Sequence, residues 1–159
     1  MKRLLTILRY VFVSPELLVC VSGLAFFVFL PAQFVWLSER IGTQAELLKY
    51  FGLLPVGLFV YDSAVAKSIL LSDSDKRGYF QKWEDYEDFK SGCMVALCYA
   101  VLFGITGVAC FFFDWKRPSA HQSAFLLTSI AGALTVSATL YFAHIKIEEI
   151  FRQHSSPSL

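Results

Sequence analysis

The sequence contains no asparagine, and therefore no N-glycosylation acceptor. Charge is scarce as well. Only 17% of the 159 residues are Asp, Glu, Lys or Arg, against 56% apolar residues and a mean hydropathy of +0.55, too apolar for a soluble globule of this length. The four cysteines, Cys20, Cys93, Cys98 and Cys110, all lie in charge-free stretches that neither an oxidising compartment nor a metal reaches, so they read as small packing residues and imply no disulfide. No internal repeat or low-complexity segment is visible. The length leaves room for one domain, and the bilayer is its natural solvent.

A membrane span needs about 20 mostly apolar residues to cross roughly 30 Å of hydrocarbon at about 1.5 Å per residue. Four stretches answer to that. Leu17 to Ser38 is free of charge between Glu16 and Glu39, Ser91 to Phe113 between Lys90 and Asp114, and Ser119 to Ile145 between Arg117 and Lys146. The second, between Lys49 and Lys67, is shorter and contains Asp62. The expected fold is all-α: a polytopic membrane protein with four transmembrane helices and a short cytosolic amphipathic helix between the second and third. The single domain 1–159 then divides into spans at about 16–38, 47–71, 91–113 and 119–145, a cytosolic loop at 72–90 and a cytosolic helical extension at 146–153. Lys2 and Arg3 ahead of an apolar run resemble a signal peptide, but Arg9 and Glu16 interrupt that run, and no small-x-small cleavage site follows it.

Net charge is +1, and its distribution carries the orientation. With four spans the N-terminus, the middle loop and the C-terminus share one side and hold ten of the fourteen basic residues, which puts both termini in the cytosol. Residues 1–13 interleave basic and apolar residues, a pattern suited to the headgroup surface. Ser14, Pro15 and Glu16 then form a helix start: a capping hydroxyl, a ring pre-set for the first turn, and an acid on the positive helix end. Pro31 is expected to bend the first span or loosen its outer third. Trp36 and Trp115 stand beside the short outer loops as interfacial anchors.

Between Tyr79 and Lys90 the loop reads YFQKWEDYEDFK, with Tyr79, Trp83, Tyr86 and Lys90 at helical spacing and Glu84, Asp85, Glu87 and Asp88 on an acidic side. Such a helix lies on the membrane surface or docks a partner, and acidic residues disfavour an anionic lipid surface. The fourth span keeps helical character to about Gln153. Glu148 and Glu149 pair with Arg152 by spacing, and Ile147, Ile150 and Phe151 form a stripe. The expected docking surface is Tyr79, Trp83, Tyr86, Ile150 and Phe151.

Within the spans, Gly92, Ala96, Ala100 and Gly104 recur every four residues, a seam that lets another helix approach closely. It serves packing within the chain or a homo-oligomer. Ser129, Ala133 and Ser137, with Ala131, Thr135 and Thr139 beside them, give the fourth span a second small or hydroxylated surface. Asp62 is an intramembrane carboxyl that must pair, neutralise or meet water, and His144 at comparable depth is a possible partner. Its role is structural, or it handles protons or ions.

Several four-span classes lack their ligands or proton carriers here. The outer loops have no cysteines for a quinone-linked thiol oxidase, the spans have no paired histidines for a b-type cytochrome, and the first span has no carboxylate for a small multidrug exporter. An enzyme is not expected, nor a cofactor or a metal.

Four spans, inward termini and an inner aromatic-acidic loop resemble the membrane subunit of the Kiwa phage-defence system. The resemblance is architectural, covers the whole chain and carries over no functional residue. It implies an oligomeric inner-membrane protein that recruits a soluble DNA-binding partner and reports phage attack at the envelope.

The expectation is a non-enzymatic scaffold or sensor of a bacterial inner membrane. Its partners are the lipid bilayer, further copies of itself and a soluble cytosolic protein, with no direct nucleic-acid binding. The alternatives are a small ion channel or transporter subunit, with Asp62 and the hydroxyl-rich fourth span lining a water path, and an immunity protein against a pore-forming toxin.

Overall fold

The computed structural model describes residues 9–42, 45–70, 86–115 and 119–155, and these are almost wholly helical, with no strand among them. In hydrocarbon each backbone amide must bond within the protein, which a helix achieves inside its own segment. The helices are α1 (Pro15–Phe29), α2 (Pro31–Gly42), α3 (Ala45–Leu70), α4 (Tyr86–Phe111) and α5 (Ala120–Ser155). Three segments, Lys49–Leu70, Tyr86–Phe111 and Ala120–Phe151, are long and apolar enough to cross a membrane, and the bent pair α1–α2 makes a fourth if counted as one span.

The start of α1 is as expected. Ser14 takes an extended conformation (φ −74°, ψ 143°), its Oγ accepts a hydrogen bond from Leu17 N at 3.1 Å, and Pro15 occupies the first helical turn. The bend expected at Pro31 is present, and it is sharp enough to divide the stretch 16–38 into two helices. At Leu30 the backbone leaves the helical region (φ −128°, ψ 45°), and α1 and α2 meet at 92°. Pro31 has no N–H to donate and its ring clashes with the preceding turn, so the break falls just before it.

Pro55 lies inside α3 without ending it. It sits where α3 crosses α4 at backbone distance: a Cβ on Gly107 would lie 2.6 Å from Gly52 O and 3.1 Å from Pro55 Cβ. Only glycine allows that approach.

Helix α5 opens with a reciprocal cap, Ser119 N donating to Gln122 Oε1 at 2.8 Å and Gln122 N to Ser119 Oγ at 3.3 Å. Its 36 residues extend about 54 Å, well beyond the hydrocarbon, as its sequence implied.

Two expectations at the helix ends change. Tyr86–Lys90 form the first turns of α4 itself and run unbroken into the third span, while 79–85 of the expected helix, and the loop from 72 before it, lie outside the described residues. Trp115 is fully buried and no interfacial anchor: its indole N–H donates to Cys110 O at 2.9 Å, a helix-end carbonyl that also accepts from Phe113 N at 3.3 Å. Trp36 is exposed, with the Arg40 guanidinium 5.3 Å from its ring centre.

The core is built from α3, α4 and α5, through Ala66, Ile69, Ala96, Ala100, Phe103, Val136 and Leu140. Helices α1 and α2 rest mainly on α5 and turn Leu18, Leu24, Phe29 and Val35 outward. Val60, Ile105 and Phe142 extend the same outward apolar surface around the core helices.

Candidate functional site

Asp62, Ala66 and Ile69 follow helical spacing i, i+4, i+7 on α3, so the face that supplies the core also carries a carboxyl into it. Asp62 is 1% exposed, and neither carboxyl oxygen has a hydrogen-bond partner. Ser137 of α5 approaches it without completing a bond, and Ser137 Oγ is itself buried and unpartnered.

The expected contact between Asp62 and His144 does not form. His144 Nε2 lies instead 3.5 Å from Glu148 Oε1 on its own helix. Seven residues separate Ser137 from His144, which shares its face but stands about 10 Å further along the axis.

A second buried carboxyl escaped the sequence reading, which took Glu16 as the charged boundary of a span. Glu16 is 2% exposed, and Thr139 Oγ1 lies 2.9 Å from its Oε1 and 3.0 Å from Thr135 O. The single hydroxyl hydrogen serves one acceptor at a time. Ser137 and Thr139 are two residues apart and point to nearly opposite faces of α5. The helix therefore carries one carboxyl from α3 and one from α1 within about 3 Å of the same depth. The available signal was the Ser14–Pro15–Glu16 cap, which turns Glu16 inward in the first helical turn, together with a hydroxyl-rich α5.

No family model matches this chain, and no curated protein or solved structure is significantly similar to it. The site is therefore read from its own chemistry. Among the described residues no group of three or more His, Cys, Asp or Glu side chains is placed to hold a metal ion.

The small-residue seam is occupied by its own chain. Ala96 and Ala100 lie in the core, a Cβ on Gly104 would stand 3.7 Å from Phe59 Cβ, and one on Gly92 would stand 3.7 Å from the Tyr10 ring. The seam also continues to Gly107, one helical turn beyond the four positions read from the sequence. Of the second surface, Ser129 and Ala133 are buried, and Ser129 Oγ donates to Phe103 O at 2.9 Å with Thr106 Oγ1 3.1 Å away. These hydroxyls join α4 to α5.

At the expected docking surface, Tyr86 and Phe89 pack on the core cluster that contains Ile147, while Ile150 and Phe151 are half-buried. Glu87, Asp88, Lys146, Glu148 and Glu149 are exposed around them. Tyr79 and Trp83, and with them the pairing expected for Arg152, lie outside the residues whose side chains are described.

Proposed function

We propose that this chain is a non-enzymatic scaffold or sensor subunit of a bacterial inner membrane, with both termini in the cytosol, that self-associates and docks a soluble cytosolic partner. The observation that carries the reading is the length of α5. Its last turns project beyond the hydrocarbon and, with the first turns of α4, make a platform of half-buried Tyr86, Ile150 and Phe151 ringed by exposed acids. Aromatic and apolar anchors inside a charged rim are what protein interfaces use. The small-residue seam is filled from within, so self-association runs through the outward faces of the helices. The resemblance to the Kiwa membrane subunit supplies the class of signal, phage attack at the envelope.

The test is copurification of tagged full-length protein in mild detergent, with the mass of the complex measured and Glu148→Lys/Glu149→Lys compared with wild type. Both acids are exposed, so the variant should fold. Recovery of the partner should fall by about tenfold or more, the scale of a single interface hot spot. Unchanged recovery sinks the docking surface.

The orphaned Asp62 favours a second reading, a channel or transporter subunit, because a buried carboxyl without a partner in a membrane commonly marks an ion or proton path. In reconstituted vesicles Asp62→Asn should then alter ion flux. A flux that is absent or unaffected removes this reading.

A further inference from the structure

Helix α1 rests on α5 and leaves a crevice along α4. Two cavities open along it. One, of about 600 Å³, lies among Arg9, Ser14, Glu16, Asp88, Gly92 and Thr139. The other, of about 400 Å³, lies among Leu24, Phe27, Leu102, Phe103 and Phe125. Both are walled by α1, α4 and α5, and Tyr99 stands on α4 between them, its hydroxyl donating to Val11 O at 3.3 Å.

The two cavities differ in chemistry in the way the two parts of a phospholipid differ. The first collects one guanidinium and two carboxyls over an apolar floor of Val95, Ala96 and Leu140, and the second is almost wholly hydrocarbon and aromatic. Their linings on α4, Asp88–Ala96 and Leu102–Thr106, are centred about 12 residues apart, roughly 18 Å along the helix, on the order of one leaflet of hydrocarbon.

We propose that this crevice holds a phospholipid with a zwitterionic, primary-amine headgroup, its head in the Arg9–Glu16–Asp88 cavity and an acyl chain running past Tyr99 into the Leu24–Phe125 cavity. Charge complementarity selects the headgroup. The planar guanidinium of Arg9 matches a phosphate, and Asp88 and Glu16 match an ammonium. A phosphoglycerol head would set its negative charge beside two carboxyls with no cation of its own to offset them. A trimethylated ammonium has no N–H to donate to either. The site goes beyond the docking and channel readings and depends on neither.

The experiment is native mass spectrometry of the full-length protein in detergent, challenged with equimolar phosphatidylethanolamine, phosphatidylglycerol and phosphatidylcholine. One phosphatidylethanolamine should be retained at least about tenfold over either competitor. Arg9→Gln/Asp88→Asn, both at exposed positions, should erase the preference. Ala143 also lines the head cavity, and Ala143→Leu should displace the lipid by filling it while helical content is unchanged. Equal retention of the three lipids, no retained lipid, or a preference that survives in the folded double variant each overturns the proposal.

Discussion

Helices α3, α4 and α5 are held together by small residues and a backbone crossing at Gly52 and Gly107, whereas α1 and α2 rest mainly on α5 alone and turn many large apolar side chains outward. In lipid the difference matters more than in water, because hydrocarbon around a helix is as apolar as a packed neighbour. Burial then contributes little, and close packing and polar contacts decide which helices stay together. The core has both. The α1–α2 pair and the residues just before it rely on Glu16 against Thr139, Tyr99 against Val11 O, the Phe27 ring 4.6 Å from His121, and one tight spot where a Cβ on Gly23 would collide with Thr128. The bundle is therefore the more closely packed region, and the pair the more loosely attached one.

The largest effect expected is on the core. Gly107→Leu places side-chain atoms against Gly52 backbone, which cannot rotate away as a side chain would, and should cost about 3 kcal/mol. Unfolding followed in detergent measures it, and wild-type stability in this variant would mean the crossing does not hold the core. Asp62→Leu comes next with the opposite sign. Removing a buried, unpartnered carboxyl from a packed face should stabilise the bundle by about 2 kcal/mol in the same assay. A destabilised variant would show that Asp62 has a partner in the membrane.

The smallest effect separates the two regions. Glu16→Ala and Thr139→Val should each loosen α1 by about 1 kcal/mol, with most of the loss shared in a double-mutant cycle, as for hydrogen bonds between membrane helices. Hydrogen exchange should quicken in α1 and stay unchanged in α4. Equal acceleration in both would merge the two regions into one cooperative unit.

What could be read from the sequence follows the range of the interaction responsible. The cap at Ser14–Pro15, the charge-free third span and the long fourth helix are local matters, and all three are observed. Pro31 announced a bend, but the 92° angle is set by where α2 finds support on α5, many residues away. Trp115 was misread because tryptophans beside loops commonly sit among headgroups, while here the Cys110 carbonyl at the end of α4 accepts from the indole as well as from Phe113 N. The two carboxyls show the same limit. Asp62 is conspicuous as the one acid inside a charge-free run, yet its approach to Ser137 rather than His144 depends on the phase of α5. Glu16 was hidden by serving as a boundary marker. A charge that ends an apolar stretch in sequence can still turn back into the protein in space.

The break before Pro31 has a mechanical consequence. Helix α1 has 15 residues and reaches about 22 Å, less than the roughly 30 Å of hydrocarbon around it. A chain that turns sideways at that height matches a thin membrane and mismatches a thick one, by a fraction of a kcal/mol for each ångström. Stretching a bilayer thins it, so lateral tension lowers the mismatch around the bent pair and relaxation raises it.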